Sequence, residues 1–187
     1  MTDTNGNVNC ITYGQMNLIN TLRKFWLDLP MWRRAYLISY AANFDNLDVI
    51  GNKLYNAPTD LGNVLEVFFG ESIARKIEGM IREQIVIGLE ILRAERTGNT
   101  EAINENTRRL YQNVDQMAAY LAQINPNWDE QTWKDLLYNY YETTILEMVT
   151  VLTGKYEEAV TLYESMENQA LNIADYMAKG IIPYFTG

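Results

Sequence analysis

Histidine is absent from all 187 residues of the chain, and its absence removes two kinds of chemistry. Imidazole is the commonest metal ligand in proteins and the commonest general base near neutral pH. Catalytic arrangements of the Ser-His-Asp or Cys-His type are therefore excluded. The single cysteine, Cys10, excludes an intramolecular disulfide, and no Cys/His cluster exists for zinc.

Long apolar runs and positive charge are also scarce. No uninterrupted apolar stretch approaches the ~20 residues of a membrane helix, and the polar first nine residues lack the pattern of a secretion signal. Fifteen Lys and Arg residues face 24 Asp and Glu residues, which gives a formal net charge of −9. This balance argues against general affinity for nucleic acid or anionic membranes. We therefore expect a cytoplasmic protein with no nucleic-acid or membrane partner.

Apolar residues that recur every three or four positions predict helices over most of the chain. Long helices are predicted at about residues 13–44, 71–96, 100–124, 130–152 and 155–179, and shorter ones at about 45–55 and 59–69. Pro30 predicts a kink or break in the first helix. Thr59 or Asp60 is expected to cap the second short helix, Asp129 to cap a later one, and Gly180 to end the last.

The second half of the chain is weakly repeated. A shift of 56 residues aligns Thr97-Gly98 with Thr153-Gly154, and MAAYLA at 117–122 with IADYMA at 173–178. This repeat predicts two helical hairpins. The sequence thus predicts an all-α, up-and-down helical bundle: a four-helix core from two hairpins, plus a long N-terminal helix and short helices. Residues 1–12 are predicted to form a disordered tail, and residues 13–187 a single domain.

Several polar residues interrupt the apolar helix faces at similar levels of the predicted hairpins. The two antiparallel helices of each hairpin can be aligned by counting residues outward from the turn. This alignment predicts one interior polar layer, which consists of Gln84, Asn113, Tyr140 and Glu167. Glu147 is expected roughly 10 Å further along the axis, at about 1.5 Å per residue. Such a layer costs stability unless its groups satisfy one another. It is interpreted either as a hydrogen-bonded network that fixes helix register or as a relic or variant of a metal site, in which Glu147 and Glu167 could attract a hard cation.

Over residues 16–185 the chain resembles a family of small bacterial all-helical proteins. The segments that carry the resemblance include FWLDLPMWRR, NAPTDLGNVLEVFFG, RRLYQNVDQMAAYLAQINPNW, LLYNYYETTILE and ENQALNIADYMAKGII. The resemblance implies a hemerythrin- or ferritin-like fold with Glu-His pairs in several long helices. At the matching positions this chain has Asp28-Leu29, Glu83-Gln84, Asn139-Tyr140, and Glu167 with Gln169. Because every imidazole is replaced, we expect neither the family's metal site nor any other cofactor.

Some members of that family carry the label acetylglutamate kinase. This chain has no glycine-rich phosphate loop and no βαβ pattern, so the sequence does not support that activity. The leading hypothesis is a non-catalytic helical-bundle protein with a degenerate metal site, which associates with a partner protein or a small ligand.

Two alternatives remain open from the sequence. One is a metal-binding protein or enzyme that uses carboxylates and tyrosine, centred on Glu147, Glu167 and Tyr140. The other is a small-molecule sensor or binder with an apolar pocket near Trp32 and Tyr140.

Aromatic residues are abundant, with 13 tyrosines and four tryptophans. Tyr138, Tyr140 and Tyr141 lie on one predicted helix and cannot all point inward. Further aromatic pairs, Phe68-Phe69 and Tyr184-Phe185, lie near the ends of predicted elements. Exposed aromatic surface of this kind is typical of self-association, and a homodimer is one of the expected assemblies.

Overall fold

The computed structural model describes residues 10–185, and helices dominate this part of the chain. Its α-helices are α1 Tyr13–Ala42, α2 Leu47–Asn56, α3 Pro58–Phe69, α4 Glu71–Thr97, α5 Thr100–Ile124, α6 Glu130–Leu152 and α7 Tyr156–Ile181, followed by a short 3-10 helix, Ile182–Phe185. The predicted all-α bundle is confirmed. Most of the predicted N-terminal tail, residues 1–9, lies outside the described residues. Within the described residues, no helix has the length and apolar character needed to cross a membrane.

Side-chain caps define where three of the long helices begin. Thr12 and Gln15 form a capping box at the start of α1, because each side chain accepts a hydrogen bond from the other residue's backbone N–H. Asn99 caps α5, and Asp129 caps α6 as predicted. Gly98 ends α4 at φ 66°, a left-handed conformation that glycine adopts without strain.

Of the kink or break predicted at Pro30, the break does not occur, because α1 continues through this residue. Proline removes one backbone donor from the helix, but Pro30 itself is buried and its neighbours Trp26 and Leu29 are almost completely covered. Packing along the whole of α1 therefore outweighs the loss of a single hydrogen bond.

Two other predicted boundaries are corrected. Pro58 occupies the first helical position of α3, where a missing N–H costs nothing, so neither Thr59 nor Asp60 caps that helix. The last helix continues through Gly180 to Ile181. Because Gly180 has no side chain, Trp128 packs directly on the α7 backbone there. The side-chain amide of Asn125 donates a hydrogen bond to the Gly180 carbonyl at 2.9 Å.

Helix α6 lies at the centre of the bundle and contacts α1, α4, α5 and α7. The hairpins α4–α5 and α6–α7 pack along their lengths, as predicted from the repeat. Helix α1 packs mainly on α7, and α3 covers α4. The polar residues of α6 that point inward therefore meet side chains from several helices.

The surplus aromatic residues pack largely within the chain. Phe69 contacts Trp128 and Tyr184, with ring centroids 5.5 and 5.7 Å away. Tyr138 packs against Tyr111 at 4.7 Å. Much of the aromatic surface that suggested a homodimer is thus used inside one chain, and the homodimer stays a prediction.

Candidate functional site

A chain of hydrogen bonds links α4, α5 and α6 in the interior. The Gln84 amide donates to Asn113 Oδ1 at 2.8 Å and accepts from the Tyr141 hydroxyl at 2.5 Å. The Asn113 amide in turn donates to Glu83 Oε2 at 2.6 Å. Both amides and the phenol are buried. Gln84 therefore has a protein partner on each side of its amide without any ligand.

The predicted polar layer is only partly reproduced by these contacts. Gln84 and Asn113 meet as the hairpin geometry predicts, but their partner on α6 is Tyr141 rather than Tyr140. Successive residues on a helix point about 100° apart, since one turn takes about 3.6 residues. Tyr141 thus reaches α4, whereas Tyr140 reaches α1.

A second polar cluster joins α1 to α6 around a buried arginine. Arg33 is only 6% exposed, and its Nη1 donates to the Tyr140 hydroxyl at 3.1 Å and to Thr144 Oγ1 at 3.0 Å. Its guanidinium carbon lies 5.2 Å from the Tyr140 ring centroid and 5.5 Å from that of Tyr141. The sequence prediction missed Arg33. Its spacing from Leu29 and Tyr36, four and three residues away on the apolar face of α1, was the available signal.

Arg34, which follows Arg33 in the sequence, pairs with Glu147, a deeply buried carboxylate between α1, α6 and α7. Arg34 forms an ion pair with Glu147, which is 1% exposed, and also donates to the Ala159 carbonyl at 3.1 Å. The Arg34 guanidinium lies 4.7 Å from the Tyr163 ring centroid. Burial raises the pKa of Glu147, and the charge of Arg34 opposes that shift only in part.

Glu167, the fourth member of the predicted layer, has a different neighbour. It is half-buried on α7, next to Tyr163. Burial, together with this carboxylate, raises the pKa of Tyr163 to about 12. Among residues 10–185, no hydrogen bond connects Glu167 to Gln84, Asn113 or Tyr140.

The metal ion implied by the family resemblance does not fit these residues. No three Asp, Glu or Cys side chains within residues 10–185 lie together as metal ligands. The guanidinium beside Tyr140 places a positive charge there that repels a cation. Glu147 is already neutralised by Arg34, and the remaining interior groups are amides and phenols, a poor donor set for iron or manganese.

A cleft of about 270 Å³ lies outside this interior, between α1 and α3. Its floor is apolar and consists of Leu22, Phe25, Leu61 and Val64, and its charged rim consists of Lys24, Asp28 and Asp60. Lys24 pairs with Asp28, whereas Asp60 forms no ion pair within the described part of the chain. Two carboxylates and one ammonium leave the rim with a net charge of −1.

Comparisons with known protein families, with curated proteins and with solved structures find no match to this chain. The resemblance to the family of small helical proteins therefore stays a prediction.

Proposed function

We propose that this chain is a non-catalytic helical-bundle protein of the bacterial cytoplasm that acts by association with a small ligand or partner protein. In this proposal it descends from a metal-binding type of bundle and has lost the metal site. One observation carries the proposal: the Arg33 guanidinium, bound to Tyr140 and Thr144, supplies in the core the positive charge that a metal ion would supply. In this proposal a metal ion at this position would add a second positive charge beside the guanidinium, which is unfavourable.

The pairing of the interior groups supports a non-catalytic role. A general acid or base must reach its substrate within hydrogen-bond distance. Glu147 is buried against Arg34, and Gln84 is held between Asn113 and Tyr141. These groups are occupied by each other rather than presented to a substrate.

The alternative centre of carboxylates and tyrosine is less well supported. Its two carboxylates have different neighbours, because Glu147 pairs with Arg34 and Glu167 lies beside Tyr163. Tyr140 contacts Arg33 instead. The substitution Glu167→Gln distinguishes the two ideas, because loss of bound metal or of an activity on this change would favour the alternative.

A pocket near Trp32 and Tyr140, required by the sensor hypothesis, is also disfavoured. Tyr140 is fully buried, and Trp26, Arg33 and Tyr141 lie against its ring. The α1–α3 cleft is the better candidate for a small ligand. Its apolar floor and net negative rim suit a molecule with an apolar body and one positive charge.

The absence of a bound metal is tested on protein purified without chelators. Elemental analysis is expected to give iron, manganese and zinc far below one atom per chain, and a chelator is expected to leave the thermal midpoint of unfolding unchanged. Stoichiometric metal that resists dialysis would overturn the proposal.

The role of the cleft is tested with two small probes of opposite charge. Phenethylamine, an aromatic ring on a primary ammonium, is expected to raise the thermal midpoint and to shift amide NMR signals of α1 and α3. Phenylacetate, with the same ring on a carboxylate, is expected to do neither.

Two variants show whether the cleft binds the probe. Asp60→Asn should abolish the response to phenethylamine, whereas Asp45→Asn, at an exposed site away from the cleft, should preserve it. Equal responses to both probes, or to neither, would exclude this cleft as the ligand site.

A further inference from the structure

Arg33 carries a buried positive charge that no carboxylate of residues 10–185 contacts. The nearest interior carboxylate, Glu147, forms its ion pair with Arg34 and acts on Arg33 only through its field. Glu167 lies beside Tyr163 on α7. Glu147 is thus paired with the partly exposed Arg34, and the buried charge of Arg33 is left without a counter-charge in contact with it. A buried charge without a counter-charge is among the most costly features a protein interior contains.

The tyrosines around Arg33 do not neutralise it. Burial raises the pKa of both Tyr140 and Tyr141, so both phenols are uncharged at neutral pH. Tyr140 offers Arg33 a hydroxyl oxygen, and both rings offer their negative faces. These dipoles reduce the cost of burial but leave the net charge unchanged.

Hydrogen-bond donors near Arg33 also lack acceptors. Its Nη2 is buried and has no hydrogen-bond partner within residues 10–185, and the same is true of Trp26 Nε1. Trp26 lies seven residues before Arg33 on the same face of α1, and its ring contacts Tyr140 edge to face at 6.1 Å. Gln169 Oε1, a buried acceptor without a partner, belongs to α7, where its amide donates to Thr143. A partner that satisfies Nη2 and also neutralises Arg33 has to accept a hydrogen bond and carry negative charge.

We propose that a small monovalent anion of chloride size binds in the core against Nη2 of Arg33. One negative charge cancels that of Arg33, whereas a doubly charged phosphate would leave an excess of negative charge. A halide also loses its hydration shell at a lower cost than a multivalent oxyanion, which favours it at a site lined by aromatic rings. This site is separate from the α1–α3 cleft and does not depend on the cleft's ligand.

The proposal is tested by unfolding at constant ionic strength in sodium chloride, bromide, fluoride and gluconate. Chloride and bromide are expected to raise the thermal midpoint by roughly 3–5 °C per tenfold increase in concentration above the dissociation constant, because binding to the folded state adds RT ln(1 + [L]/Kd) to stability. Fluoride, which is strongly hydrated, and gluconate, which is too large, are expected to have no specific effect. Equal midpoints in all four salts would overturn the proposal.

Two substitutions show where the halide acts. Arg33→Met should fold, since an apolar residue of similar size in place of a buried charge is often neutral or stabilising, and it should lose the halide response. Arg23→Met, at an exposed arginine paired with Asp175, is the matched control and should retain the response. A halide response that persists in Arg33→Met would place the ion elsewhere and overturn the proposal.

Diffraction from crystals grown in sodium bromide locates the ion directly. An anomalous peak within about 3.5 Å of Arg33 Nη2 is expected, at a distance typical of a hydrogen bond to a large anion. An ordered water at that position, without anomalous signal, would overturn the proposal even if the salts differ in solution.

Discussion

Two adjacent arginines of α1 end in different surroundings. Arg33 points into the bundle and donates to Tyr140, whereas Arg34 lies along α7 and holds Glu147. The direction follows from helix geometry, because neighbouring residues diverge by about 100°. Arg34 keeps part of its side chain at the surface, so it brings a solvated charge to a carboxylate that is itself 1% exposed.

The buried carboxylate predicts a pH dependence of stability. The pKa of Glu147 is raised above its ordinary value of 4.5 in the folded chain, so folding favours the protonated form. Its contribution to the free energy of unfolding is therefore fully present below pH 4.5 and is lost as the pH rises through the folded pKa. Relative to Glu147→Gln, the wild-type chain should lose stability as the pH rises above 4.5 and through the folded pKa, as measured by urea unfolding.

The exposed carboxylate of Glu105 is a control, because its pKa is shifted in the opposite direction from that of Glu147. Arg108 lowers the pKa of exposed Glu105, so the contribution of that carboxylate is present above pH 4.5 and declines as the pH falls through its folded pKa. The Glu105→Gln comparison should therefore show a small change in the reverse direction. A wild-type advantage over Glu147→Gln that grows with pH would contradict the buried assignment of Glu147.

Two helical glycines predict substitutions of opposite effect. A Cβ on Gly180 would lie 1.9 Å from Trp128 Nε1, whereas a Cβ on Gly79 would meet no atom within 4 Å. Gly180→Ala should therefore destabilise the chain by about 1–3 kcal/mol through overpacking. Gly79→Ala should stabilise it by about 0.5–1 kcal/mol through the better helix propensity of alanine. Urea unfolding of both variants measures the difference, and equal effects would show that Trp128 does not pack on α7.

At the scale of the helices, α6 connects the two interior clusters. Tyr141 carries the contact to α4, while Tyr140 and Thr144 carry the contact to α1. Apolar periodicity predicted the helices and their order, because each helix buries one face. It did not distinguish Tyr140 from Tyr141, since both are buried and adjacent residues of a helix point about 100° apart toward different neighbouring helices.

The hydrogen bond between α4 and α6 predicts a non-additive pair of substitutions. Tyr141→Phe leaves the buried Gln84 carbonyl without a donor, which should cost about 1–3 kcal/mol. Gln84→Leu should cost a similar amount, because the Tyr141 hydroxyl loses its acceptor. The double variant should lose less than the sum, by about 0.5–3 kcal/mol.

Tyr138→Phe is the matched control for this pair. Its hydroxyl donates to Asp115 in a half-buried setting, where water replaces the lost partner. The cost should therefore stay below about 1 kcal/mol. Strict additivity of Tyr141→Phe and Gln84→Leu would mean that the two side chains do not interact in solution.

Over the whole molecule, sequence reasoning reproduced the architecture better than the site. The bundle class, the hairpins and most helix boundaries follow from periodicity and from capping residues such as Asp129. The partners of Glu147 and Glu167 did not follow, because ion pairs and phenol contacts between distant helices depend on side-chain direction rather than on spacing. Arg33 was missed for a related reason, since a charged residue on an apolar stripe is usually expected to reach solvent.

The charge of the whole chain also bears on the predicted homodimer. Large apolar side chains remain exposed at Val49, Val67 and Tyr156, so apolar contact surface is available. Two chains that each carry −9 repel one another, and this repulsion is screened as the Debye length falls from about 10 Å at 0.1 M salt to about 3 Å at 1 M. Apolar contacts are weakened little by such salt.

A homodimer should therefore become more populated as salt rises. Light scattering at pH 7 is expected to give a mass that moves from 21.6 kDa toward twice that value between about 0.05 and 0.5 M sodium gluconate. Gluconate is used because a halide would also act at Arg33.

The Val67→Lys variant separates apolar contact from charge repulsion, because it adds a positive charge at an exposed apolar site of α3. Weaker association than wild type indicates an apolar interface that includes α3. Stronger association indicates that charge repulsion alone was limiting. A mass of 21.6 kDa at every salt concentration and at high protein concentration would rule out the homodimer.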